Sequence, residues 1–176
     1  MMWPRPCASW PRGRRGSRSP SSPSNGGELN VSKWEFQTPM YTVSVQAHYD
    51  SAHFLRNYKG KCERLHGHRY VVEVALQTDR LNEAGIAYDF VDLKRHLREL
   101  ADELDHQNLN DLPPFRDVET SAENQARYFY DELKKRLPDE QAAGLLYARV
   151  WETPQQWAQY GPSPAAVPAH RSPAIS

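Results

Sequence analysis

Residues 40–160 predict an α+β domain: an antiparallel four-stranded sheet with two helices on one face, in the order strand, strand, helix, helix, strand, strand. Three observations lead there. Two β-rich runs, "MYTVSVQAHYDSAHF" and "HGHRYVVEVALQTD", follow one another across the polar connection "LRNYKGKCERL" and read as a long hairpin. Two stretches of helical periodicity come next with no strand between them. A last pair of β-rich runs closes the domain, so neighbouring strands pair antiparallel and the helices are left to cover one face.

Each element carries its own signal. Tyr41, Val43, Val45 and Ala47 alternate through the first strand, as a half-buried strand requires. "DFVDLKRHLRELADELD" repeats apolar residues at Phe90, Leu93, Leu97, Leu100 and Leu104, and Asp89 is placed to cap that helix. "TSAENQARYFYDELKKRL" opens with Ser121, Ala122 and Glu123, carries Ala126, Phe129 and Leu133 on one face, and is closed by Pro138. "GLLYARVWET" gives a third strand, and "QQWAQY" gives it a short partner. No repeat of about 20–50 residues is visible.

Composition bounds the function. The chain has 176 residues, with 22 basic and 22 acidic side chains. Residues 1–33 hold six of the basic residues and one acid, Glu28, leaving 16 basic against 21 acidic over the rest. The folded part therefore lacks the positive surface of a nucleic-acid-binding protein. The two cysteines, Cys7 and Cys62, make no disulfide framework and suit a cytoplasmic protein, and no apolar run is long enough to span a membrane. Residues 1–39 read as a disordered Arg/Pro/Ser-rich leader and residues 161–176 as a Pro/Ala-rich tail. The leader's Arg and Ser would suit a transit peptide, but its prolines oppose an amphipathic helix; translation from a start upstream of a true beginning near Met40 is the plainer expectation.

The chemistry concentrates in "CERLHGHRY". On a strand His66 and His68 point the same way and Gly67 the other, so two imidazoles share a face, unless the pair is incidental. The hairpin brings the end of "YDSAH" back beside them, adding His53. Three histidines without a fourth protein ligand form the pattern of a catalytic zinc with one position open. A glycine inside a strand suggests close backbone approach at Gly67. Cys62, in the loop before His66, is either a fourth ligand closing a structural site or a free thiol whose thiolate a nearby dication favours; spacing does not decide. In "ELDHQNLND", Asp105 adjoins His106 at a helix end, to orient an imidazole for proton transfer or to cap. Glu152 in "VWETP" stands where a strand runs out, as a ligand acceptor or a solvated carboxylate. His48 in the strand body and His96 on a helix read as structural.

"YDSAH", "CERLHGHRY", "AYDF", "LDHQNLN", "TSAEN" and "VWET" stand in the order and approximate separation of the 6-pyruvoyl tetrahydropterin synthase family, which the chain resembles from about Tyr41 to Tyr160. The three residues between Cys62 and His66 resemble the bacterial branch, the 6-carboxy-5,6,7,8-tetrahydropterin synthases of queuosine biosynthesis. A longer gap resembles the animal enzymes, and a further branch has glutamate where Cys62 stands.

That resemblance implies the tunnelling fold, with subunits joining their sheets into a barrel, as a homo-oligomer and usually a hexamer. It implies Zn2+ on His53, His66 and His68, Cys62 as proton acceptor, and Asp105 with His106 as relay. It also implies Glu152 as acceptor for the pterin ring, with Ser121 and Glu123 lining the same pocket. The implied partner is a small-molecule pterin, with no nucleic acid and no membrane. The implied reaction converts 7,8-dihydroneopterin triphosphate to 6-carboxytetrahydropterin, with loss of triphosphate and acetaldehyde. A 6-pyruvoyl synthase, a zinc-binding module without turnover and a zinc hydrolase are the alternatives.

Overall fold

A computed structural model describes residues 39–162. The expectations for the leader before residue 39 and the tail beyond residue 162 fall outside those residues. The elements are β1 (Tyr41–His53), β2 (His66–Thr78), α1 (Phe90–Leu104), α2 (Ala122–Arg136), α3 (Asp139–Ala143), β3 (Leu145–Thr153) and β4 (Gln156–Tyr160). They form one antiparallel sheet in the order β1-β2-β3-β4 with the long helices on one face, as the sequence predicts. Short 3-10 turns at Lys61–Glu63, Leu109–Asp111 and Pro113–Phe115 fill the connections. Among the described residues no helix is long and apolar enough to cross a membrane.

Local chemistry sets the helix boundaries. The Asp89 carboxylate accepts from the Val91 N–H and caps α1. The Ser121 hydroxyl accepts from the Asn124 N–H and caps α2, satisfying a donor that the helix itself cannot. Pro138 does more than stop α2, because it also precedes the five-residue helix α3, which the periodicity did not predict. A single turn has too few positions to show a period.

Alternation along β1 and β2 settles which side chains meet the helices. Val45, Ala47 and Tyr49 face Val74, Val72 and Tyr70 across an unbroken register that ends at His53 opposite His66. Those side chains, with Ala148 and Val150 of β3, close over Leu93, Leu97, Leu100 and Leu104 of α1 and Ala126, Phe129 and Leu133 of α2. Phe90, expected in that stripe, is 56% exposed at the first position of α1. At the centre, the Tyr49 and Tyr70 rings stack at 5.0 Å. On the opposite face of the sheet β2 and β3 bury two charged residues, Glu73 and Arg149. There Glu73 accepts from Tyr147 at 2.6 Å and from Gln46 at 2.8 Å, while the Arg149 guanidinium lies 4.4 Å over the Trp157 ring.

The chain from Asp105 to Asn108 lies along the outer edge of β1. The His106 N–H donates to the Asp50 carbonyl at 2.6 Å, the Ala52 N–H donates to the Gln107 carbonyl at 2.9 Å, and Asn108 bridges Ala52 in parallel. Turning onto that edge places His106 at φ 55°, a left-handed conformation that costs a non-glycine residue on the order of 1 kcal/mol. The edge of β1 from Tyr41 to His48 is left without a strand partner among the described residues.

Candidate metal centre

The hairpin register that buries the tyrosines also builds the site. His53 closes β1, His66 opens β2 directly opposite, and His68 pairs with Ser51 two positions on, so all three imidazoles emerge on the helix-covered face. Their rings lie 4.5–5.4 Å apart by centroid. Among the described residues this trio is the group with metal-ligating atoms all within 4.8 Å of one another. Cys62 is not part of it.

Backbone carbonyls fix which nitrogens are free. His53 Nδ1 lies 2.9 Å from the Thr120 carbonyl, and His66 Nδ1 lies 2.7 Å from the Arg64 carbonyl. A carbonyl only accepts, so each Nδ1 carries its ring's proton and each Nε2 presents a lone pair. Those two Nε2 atoms are 3.1 Å apart. Two lone pairs facing at that distance repel unless a cation sits between them. Zinc bound to imidazole at about 2.0–2.1 Å in a tetrahedral set would space its nitrogens about 3.3 Å apart, so the residues fit a zinc ion. Carbonyls that accept from the far nitrogen of a ligating histidine set its tautomer in this way.

Electrostatics disfavours a charge on His53 and His68. His53 is 1% exposed. Burial pushes its pKa down to about 4, reinforced by His66 and His68 and opposed by the Thr120 carbonyl. Burial also lowers His68, while the Glu152 carboxylate pulls it back up. A histidine whose folded pKa lies below its unfolded value stabilises the fold above the unfolded pKa and loses that contribution as pH falls toward the folded one. Chelator-stripped protein should therefore melt progressively lower from about pH 6.5 to pH 4, more steeply than His53→Gln, in scanning calorimetry. Equal slopes would show that His53 is not the group being charged.

Beside the trio a cleft of about 280 Å3 is lined by His53, Cys62, Ser121, Glu123, Glu152 and Trp157, among others. Cys62 is half-buried in the Lys61–Glu63 turn, and the Leu55 N–H donates to its carbonyl at 2.8 Å, which ties that turn to the end of β1. Glu152 Oε1 stands 3.6 Å from His53 Nε2 at the C-terminal end of β3. Ser121 spends its hydroxyl oxygen on the cap of α2. The fold thus brings together His53, His66, His68, Cys62, Glu152, Ser121 and Glu123.

Asp105 and His106 sit elsewhere. They line a different cleft, of about 390 Å3, with Asp50, Arg69, Lys94 and Arg98 along the β1 edge. His106 Nδ1 faces Asp105 Oδ2 at 2.6 Å, and the Asp50 N–H donates to Asp105 Oδ1 at 2.8 Å. That backbone bond, then the imidazole, hold the Asp105 carboxyl below its usual range. The dyad has the geometry of an oriented base with Nε2 free, but within one chain it belongs to a separate cleft from the three histidines. Gly67 also departs from expectation. A Cβ there would meet only the Ser51 carbonyl at 3.5 Å, an ordinary contact, so no close approach demands glycine.

Sequence reasoning missed Thr120 and Arg64, which act on the histidines through their carbonyls. It also missed Asn110, which brackets the Phe54 peptide next to His53 with bonds of 2.9 Å to its N–H and its carbonyl. A carbonyl's role leaves no trace in residue type; Asn110 stood in view as the last residue of "LDHQNLN".

The profile of the 6-pyruvoyl tetrahydropterin synthase family matches residues 42–163. A 6-carboxy-5,6,7,8-tetrahydropterin synthase of Haemophilus influenzae is 32% identical over 146 residues, 69% of this chain and 99% of that protein. The Aquifex aeolicus protein of the same name is 36% identical over 57% of this chain and 75% of its own length. The human 6-pyruvoyl tetrahydrobiopterin synthase is 39% identical over 53% of this chain and 66% of its own. Among solved structures, the Caenorhabditis elegans 6-pyruvoyl tetrahydropterin synthase superposes with a TM-score of 0.65 at 28% identity, over 73% of this chain and 99% of that one.

Proposed function

The chain belongs to the 6-pyruvoyl tetrahydropterin synthase family, and on that premise we propose that it is a zinc-dependent 6-carboxy-5,6,7,8-tetrahydropterin synthase. Its reaction takes 7,8-dihydroneopterin triphosphate and one water to 6-carboxytetrahydropterin, acetaldehyde and triphosphate, the water supplying the carboxyl oxygen and the hydrogens needed for C–C cleavage, a cytoplasmic step toward queuosine. One observation carries the reading: three imidazoles, two with δ protons held by carbonyls and ε lone pairs 3.1 Å apart, border a cleft that also holds Cys62 and Glu152. The carboxy product is favoured by the three-residue spacing from Cys62 to His66 and by the near-complete span shared with the Haemophilus enzyme.

Zinc held by His53, His66 and His68 would supply a Lewis acid for the oxygens of the pterin side chain. The protein's own groups do the rest. Glu152, acceptor-only when ionised, takes the amino and ring N–H groups of the pterin and fixes its orientation, with Ser121 and Glu123 on the wall. Cys62 as thiolate removes the proton from the side-chain carbon. His106, its Nδ1–H held by Asp105, carries the proton onward through Nε2.

The dyad's separate cleft fits an oligomer better than a lone chain. If the open β1 edge of one subunit joins the β4 edge of the next, as the barrel implied by the family requires, the dyad beside that edge approaches the neighbour's β3–β4 end, where Glu152 and Trp157 stand. We therefore assign the relay to the adjoining subunit of a homo-oligomer.

Incubating zinc-loaded protein with 7,8-dihydroneopterin triphosphate tests the reaction by mass spectrometry and acetaldehyde assay. Acetaldehyde with a 6-carboxy product is expected. Triphosphate release without acetaldehyde would make it a 6-pyruvoyl synthase, and zinc binding without turnover would leave a binding module.

A further inference from the structure

Behind His53 a buried glutamine sits where an apolar residue would have filled the core more simply. Gln125, the fourth residue of α2, is 0% exposed and neighbours Ala126 in the stripe that faces the sheet. Its amide is used at both ends. Gln125 Nε2 lies 2.9 Å from the Thr120 carbonyl, and the Tyr49 hydroxyl lies 2.5 Å from Gln125 Oε1. The Thr120 carbonyl only accepts, so the NH2 end must face it, and Tyr49 must then donate to the oxygen. No flip of the amide satisfies both neighbours.

Thr120 precedes the cap of α2, outside the helical ladder, and its carbonyl receives Gln125 Nε2–H and His53 Nδ1–H. Those two bonds fill its two lone pairs. Its side chain is tied down as well, with Oγ1 donating to the Phe54 carbonyl at 3.0 Å. A hydrogen-bonded chain thus links the core to the metal centre, converging on one carbonyl: Tyr49 O–H donates to Gln125, Gln125 N–H to Thr120, and His53 N–H to the same Thr120 oxygen. Buried polar groups are costly unless paired, and each residue of this set has a partner within it.

We propose that Gln125 is a positioning residue for the metal centre, anchoring the Thr120 carbonyl so that His53 keeps its proton on Nδ1 and its Nε2 lone pair toward the ion. The inference rests on the metal reading given above. It makes no use of Gln125 in substrate binding or proton transfer.

The test compares wild type with Tyr49→Phe/Gln125→Leu, which removes both polar groups at nearly constant volume and deprives the Thr120 carbonyl of one of its two donors. Zinc affinity is read by competition with a chromophoric chelator. The His53 tautomer is read by long-range 1H–15N NMR of the metal-free protein, and thermal melting reports packing. The double variant should bind zinc about tenfold more weakly, at the low end of the range for groups behind a metal ligand, and His53 should populate both tautomers. A changed melting temperature with zinc affinity within about twofold of wild type and a single Nδ1–H tautomer would overturn the proposal and leave Gln125 a packing residue. If wild type itself takes no zinc, the metal reading fails, while the tautomer comparison still judges Gln125. Should the double variant not fold, Gln125→Met is measured the same way: its thioether cannot donate to Thr120 at any pH, so the same losses are expected and their absence is equally decisive.

Discussion

Cys62→Ala should keep its zinc and lose turnover by about 10²-fold or more. The metal-ligating atoms that lie within reach of one another come from His53, His66 and His68, so truncating Cys62 leaves the donor set whole. The turn that carries Cys62 is held through its backbone carbonyl, by the Leu55 N–H, and does not depend on the sulfur. Pterin binding should change little, because it is assigned to Glu152 on β3. Zinc stoichiometry, binding of an unreactive pterin and turnover are best measured on one preparation. Loss of metal together with activity would make Cys62 a ligand. Full activity with metal retained would move the proton acceptor elsewhere, with His106 the next candidate, and would suit a hydrolase using water on zinc.

His66→Ala should abolish stoichiometric zinc binding and, with it, turnover, since two imidazoles do not complete a three-nitrogen site. The same change should leave the metal-free fold unharmed. It removes one of two lone pairs that face each other at 3.1 Å, and the lost ring sits at the start of β2, outside the packed core. Wild type should therefore be stabilised by added zinc while the variant's melting temperature stays flat across a zinc titration. One equivalent of zinc per chain in the variant would sink the ligand assignment.

The fold was legible because its elements are long and regular. Thirteen-residue strands and fifteen-residue helices give a period several turns to declare itself, whereas α3 gives it one. His53, His66 and His68 were legible for a related reason: a hairpin places strand ends opposite each other, so sequence order alone returns His53 to His66. What stayed hidden depends on contacts between distant segments. The Thr120 carbonyl that fixes the His53 tautomer is 67 residues away, and the Gln125 amide behind it answers to Tyr49, 76 residues away. "VVEVAL" reads as a buried strand, yet nothing in it shows that Glu73 is satisfied by Tyr147 on the face away from the helices. The left-handed turn at His106 is invisible too, because it arises from the loop's path along β1 rather than from any residue preference.

The separation of the Asp105–His106 cleft from the cleft of Cys62 gives the enzyme a genetics as well as a geometry. If each working centre draws its thiol from one chain and its imidazole from the next, two dead proteins can repair one another. A chain lacking Cys62 still offers a sound relay, and a chain lacking His106 still offers a sound thiol. Dissociated, mixed and reassembled in equal parts, they would restore roughly one junction in four, the junctions where each lost group happens to be supplied by the other parent. In a cell carrying two alleles, such lesions would complement, while two lesions in the same cleft would not.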